Sequence, residues 1–137
     1  MSLTGNTNTV LLGAGNDAFV FGSGTASLTM HGQHDTVSVN GGTDTIADTA
    51  GGADKLQLQI GAAGGTVGIS NFGVSNAVVS LVHALASAEH WATPAQIAAA
   101  VTTDNNGGSL LSLGSYGKID FVGVPTGKLT ANNFQIS

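Results

Sequence analysis

Through residue 58 one position in every nine is apolar without exception. Set in register, residues 3–11 read LTGNTNTVL, 12–20 LGAGNDAFV, 21–29 FGSGTASLT, 30–38 MHGQHDTVS and 39–47 VNGGTDTIA. Asp48 stands outside the count, after which 49–57 resumes as TAGGADKLQ. The eighth position holds Val10, Phe19, Leu28, Val37, Ile46 and Leu56. In a strand the residue two places further on shares the same face, which gives the pairs Val10/Leu12, Phe19/Phe21, Leu28/Met30, Val37/Val39, Ile46/Asp48 and Leu56/Leu58. Only Asp48 breaks the apolar pattern, at the point where the register slips. Glycines ahead of each strand let the backbone turn tightly. The pattern therefore predicts a stack of short strands with these pairs inside.

The sixth position reads Asn8, Asp17, Ala26, Asp35, Asp44 and Asp54. Together with the glycines, this resembles the nonapeptide G-G-x-G-x-D-x-U-x of hemolysin-type (RTX) calcium-binding proteins, over residues 3–58. Gly13 and Gly15 keep the pattern, as do Gly22 and Gly24, whose repeat lacks the aspartate; His31 and Gln33 depart from it. The resemblance implies a mainly β fold, a parallel β-roll with two nonapeptides per turn. Odd-numbered loops then stack along one edge (Asn8, Ala26, Asp44) and even-numbered loops along the other (Asp17, Asp35, Asp54).

It also implies calcium between stacked loops, held by loop carbonyls and aspartates, with Gly13, Gly15, Asp17, Gly32, Asp35, Gly41, Gly42, Asp44, Gly51, Gly52 and Asp54 as the metal-binding residues. The even edge is expected to hold about two ions, between Asp17 and Asp35 and between Asp35 and Asp54, since calcium takes six to eight oxygens. Ala26 leaves the odd edge weaker and Asp44 an open question. The alternative is a calcium-free scaffold whose aspartates merely serve in Asx turns.

Beyond residue 58 the period fades. GGTVGISNF (64–72) places Val67 and Ile69 on one face of a strand. In NAVVSLVHALASAEH, Val78, Leu81, Val82 and Leu85 fall at helical spacing, although VVSLV also reads as a strand. TPAQIAAAV carries Thr93 as N-cap, Pro94 at the first helical position and Gln96 closing a capping box. Trp91 between the two helices reads as core. DNNGG (104–108) reads as a turn, followed by strands in SLLSL (109–113) and KIDFVGV (118–124). The division expected is a roll over 3–58 and an α+β cap over 59–137. The ending LTANNFQIS is similar to the uncleaved tails of type I secretion substrates, implying that machinery as a partner.

Charge narrows the function. Of 137 residues only 8% are charged, arginine is absent, and the net charge is −5. Nucleic-acid binding needs basic patches, so neither it nor membrane insertion is expected; no apolar run approaches the ~20 residues of a transmembrane helix. Without cysteine there is no disulfide framework. The opening MSLTGNTNTV has no signal-peptide pattern. His31 and His34 fall short of the four ligands of a structural zinc site, and no grouped nucleophile, base and acid indicates an enzyme.

The sequence thus points to a secreted, extracellular or cell-surface structural protein that folds on calcium. Self-association as a head-to-tail homopolymer (biofilm matrix, fibre or surface layer) follows from a first rung beginning at Leu3 without a polar cap, which solenoids need. The alternative is a calcium-folded carrier module of a larger RTX enzyme or adhesin. An ice-binding face is disfavoured because the seventh position is mixed: Thr9, Ala18, Ser27, Thr36, Thr45 and Lys55.

Overall fold

The computed structural model describes residues 2–31, 34–49 and 56–137, with side chains described from residue 9 onward. Strands β1 (Ser2–Leu12), β2 (Ala18–Met30), β3 (Thr36–Val39), β4 (Thr43–Asp48), β5 (Gln57–Ile60), β6 (Gly65–Ser70) and β7 (Val78–Leu81) wind as a parallel β-solenoid of about three turns. Each coil takes 18 residues at first: Phe19 pairs with Val37, and Leu28 with Ile46. Two nonapeptides per turn is therefore the observed geometry. β1 and β2 bend around an edge, so each serves both faces; residues 18–21 of β2 pair with β3 and residues 25–30 with β4.

Alternation buries the predicted pairs. Phe19, Phe21, Leu28, Met30, Val37, Val39, Ile46, Leu56 and Leu58 are all buried, while Val10 and Leu12 pack partly buried against them. Phe19 and Phe21 meet edge to face at 4.9 Å between ring centroids. Burying each such side chain contributes about 1.5–3 kcal/mol, so the inward ladder is the main source of the roll's stability.

The slip at Asp48 is larger than one residue. Val37 pairs with Leu58 and Val39 with Ile60, an offset of 21 residues. An offset of 19, placing Val37 opposite Leu56, is what a single inserted residue would give. The longer even-edge connection between β4 and β5 accounts for the difference, and the odd offset still keeps the apolar residues inward. As a result the Gln57 amide donates to the Asp35 carbonyl, so that Leu56 stands next to Asp35's rung where an aspartate was expected.

The parallel pairing continues past residue 58. β10 (Gly117–Val122) adds to β6, and β11 (Phe134–Ile136) adds to β7. β9 (Ser109–Ser112) then pairs antiparallel with β10, and β8 (Thr102–Thr103) with β9. Phe121 joins the halves, meeting Phe72 at 5.0 Å and Phe134 at 6.2 Å, both edge to face.

Two short helices complete the cap. α1 (His83–Ala88) is shorter than the helical spacing suggests, because Val78–Leu81 is strand β7. Leu58 and Ile60 already present a rung edge with which Val79 and Leu81 pair, and β-branched valines suit that edge. α2 (Pro94–Ala100) forms as predicted: Gln96 N–H donates to Thr93 Oγ1 and Thr93 N–H to Gln96 Oε1, with Pro94 opening the helix. Ile97 is buried beneath it, and Trp91 is half-buried against the core. DNNGG is the turn of the β8–β9 hairpin, where Asp104 Oδ1 accepts from the amides of Asn106 and Gly108, each at 2.7 Å.

Candidate functional site

The edges of the roll are where chemistry other than packing accumulates. Among the described residues the even edge takes in 13–17, His31 and 34–35, and the odd edge 22–24, 40–42 and 61–64. At the end of each loop the sixth-position residue enters the strand pointing inward, and there Asp35 and Asp44 are buried. Their oxygens divide the work. Asp35 Oδ1 accepts from the Asp17 amide at 2.9 Å, and Asp44 Oδ1 accepts from the Ala26 amide at 3.1 Å. Each aspartate thus braces the residue 18 positions earlier, one coil back.

The second oxygens have no such use. Asp35 Oδ2 and Asp44 Oδ2 are buried without a hydrogen bond among the described residues. Burial pushes the Asp44 carboxyl up to about 6, against the opposing hydrogen bond from Ala26. Burial also raises Asp35; the Asp17 amide opposes the shift, the charges of Asp17 and Asp48 add to it, and His34 opposes it. A buried ionised carboxylate without compensation is costly, so each orphaned oxygen marks a place that favours a cation or a proton.

The odd edge shows how closely the coils stack. Gly42 has φ +92°, and a Cβ built there would lie 2.5 Å from the Gly24 carbonyl oxygen and 3.0 Å from that of Gly22. Only glycine fits, and it brings two backbone carbonyls to the loop that precedes Asp44. Gly41 (φ +108°) donates its amide to the Gly64 carbonyl. Carbonyl and carboxylate oxygens are the types of donor a hard divalent cation takes, and the odd edge carries both kinds.

Asp44 and Asp35 stand in equivalent positions, each bracing an amide one coil back, that of Ala26 on the odd edge and that of Asp17 on the even edge. Gly13 and Gly15 lie in the exposed loop ahead of half-buried Asp17, with open space around both. Gly32, Gly51, Gly52 and Asp54 lie outside the described residues, and the Asn8 side chain is likewise undescribed. Among the described residues no cluster of three or more His, Cys, Asp or Glu side chains is poised for a metal. His31 and His34 are both exposed, and His31 Nδ1 meets Thr49 Oγ1.

Two acidic features escaped the motif. Asp48 closes β4 on the inward side, opposite Met30, and is buried. Its signal was the break it made in the apolar pairs. Asp104 and Asp120 share a 280 Å³ cavity with Lys118, and Asp120 Oδ1 is buried without a hydrogen bond among the described residues. Burial and the Asp104 charge raise the Asp120 carboxyl. Nothing in the sequence joined residues 16 apart across a hairpin. On the outer face, the register aligns Thr9, Ser27 and Thr45 with Gly68, which interrupts the hydroxyl rank.

The fold defines the chain as a parallel β-solenoid with a C-terminal α+β cap. No family model matches it, and no curated protein or solved structure does either.

Proposed function

We propose that this is a secreted calcium-binding structural protein, folded by calcium and assembling with itself outside the cell. The observation that carries the calcium reading is the pair of buried, unpartnered carboxylate oxygens on Asp35 and Asp44 at stacked loop edges. Sites with dissociation constants near 10⁻⁴–10⁻³ M, common outside cells, would each add roughly 1–3 kcal/mol at 10–100-fold excess calcium. Two of them rival much of a domain's ~5–15 kcal/mol.

Assembly is supported by the outer surface. Leu11 is 66% and Val122 50% exposed on the same outward column, and few charges oppose edge pairing. A head-to-tail contact between rolls whose rotation does not close would extend into a filament. The carrier-module reading has its own support: α2 packs against β11 and β9, covering one end of the roll. Sedimentation velocity with and without calcium separates them. Assembly predicts calcium-dependent species much larger than a monomer, whereas a calcium-loaded monomer at all concentrations contradicts it and favours the carrier.

A further inference from the structure

Asparagine precedes glycine twice in the chain, at Asn40–Gly41 and at Asn106–Gly107. In such a pair the glycine nitrogen can attack the asparagine side-chain carbonyl carbon, because no Cβ on the glycine obstructs the approach. The new C–N bond closes a succinimide ring and ammonia leaves. Water then opens the ring at either carbonyl, giving aspartate or isoaspartate. No oxidant or reductant is involved, and the step depends on a glycine N–H that solvent can reach and deprotonate. The two pairs share this chemistry but have opposite surroundings.

Asn40–Gly41 is built into the stack of coils. The Gly41 amide donates to the Gly64 carbonyl at 2.8 Å and the Asn40 amide to the Phe21 carbonyl at 3.1 Å, so the backbone is held by the coils on either side. The Asn40 side chain lies against Gly61, where an added Cβ would collide with Asn40 Oδ1. Ring closure there has to break the rung.

Asn106–Gly107 stands at the tip of the β8–β9 hairpin, and both residues are exposed. The Gly107 N–H faces the Asp104 carbonyl at 3.5 Å, beyond the ordinary N–H···O range of about 2.7–3.2 Å. Asp104 Oδ1 takes the amides of Asn106 and Gly108, passing over the Gly107 amide between them. Gly107 has φ +82°, a conformation natural to glycine, and nothing lies within 4 Å of the place its Cβ would occupy. The attacking nitrogen is therefore weakly held and openly approached.

We propose that Asn106 is a site of spontaneous deamidation in the folded protein, and that the fold protects Asn40 from the same reaction. The product carries a carboxylate where a neutral amide lined the 280 Å³ cavity of Asp104, Asp120 and Lys118, making that wall more acidic. Isoaspartate also lengthens the backbone of the turn by one carbon. The inference is independent of the calcium reading.

The test is peptide mass mapping of the full chain during incubation at mildly alkaline pH, with its β signal verified by circular dichroism. A parallel incubation is made in denaturant, and Asn106→Gln is treated alongside. The proposal expects amide-to-acid conversion at Asn106 several-fold faster than at Asn40 in the folded chain, and nearly equal rates in denaturant. It expects Asn106→Gln to abolish the isoaspartate formed in the hairpin. An Asn106 that stays intact, or an Asn40 that converts as fast in the folded chain, would overturn the proposal. A rate ratio that denaturant leaves unchanged would overturn the claim that the fold sets it.

Discussion

Asp44 shows how the two oxygens of a single side chain meet different surroundings. One oxygen holds the Ala26 amide a coil away, and the other is stranded in the interior. Its folded pKa, about 6, lies above the ordinary 3.8, so the folded state holds the proton more tightly than the unfolded chain does. The stabilisation is therefore fully present below about pH 4 and is lost as pH rises through about 6, up to ~3 kcal/mol for two units. In chelator, thermal unfolding should accordingly move to lower temperature between pH 4 and pH 7. Asp44→Asn should flatten that part of the slope, and an unchanged slope would count against burial as its cause. Gly42 makes the complementary point for the backbone. Alanine there meets the Gly24 carbonyl oxygen at 2.5 Å and a disfavoured φ, so Gly42→Ala should cost about 1–3 kcal/mol in denaturant unfolding.

At the scale of elements, legibility followed periodicity. The inward pairs from Phe19/Phe21 to Val37/Val39 were readable because strand alternation and an 18-residue coil act on every rung alike. Thr93, Pro94 and Gln96 announced α2 because capping is local chemistry. The Val78–Leu81 segment was ambiguous, since its valines satisfy both periods and only the edge of β5 decides for a strand. The aspartates of the edges were legible as a ladder, but the displacement of Leu56 into line with Asp35 was not, because loop length rather than pattern sets it. The terminal LTANNFQIS resembled an export tail, yet it is also a structural element. Leu129 and Phe134 are buried, and Asn133 Nδ2 donates to the Val74 carbonyl at 2.8 Å and to that of Ala77 at 3.2 Å. Removing both bonds with Asn133→Ala should destabilise the chain by about 1–3 kcal/mol, measured by chemical denaturation. An effect below the error of that measurement would show that the tail is not pinned through this side chain.

The whole molecule sets an apolar interior against very little charge, and three of its aspartates lie inside the roll. Asp35, Asp44 and Asp48 are buried, while the described lysines, Lys118 and Lys128, are exposed in the cap. Asp35 and Asp44 each keep one buried carboxylate oxygen without a hydrogen bond among the described residues, and a cation or proton reaching either would tie folding to the surrounding solution. On the proposed calcium reading, calcium-poor conditions near neutral pH are the least favourable combination and calcium-rich ones the most favourable. The measurement that tests this most directly is far-UV circular dichroism at pH 7 during a calcium titration from a chelated start. The account predicts a cooperative gain of β signal as calcium is added, reversed by chelator. A full β signal in chelator that calcium leaves unchanged, in both amplitude and thermal midpoint, would contradict it.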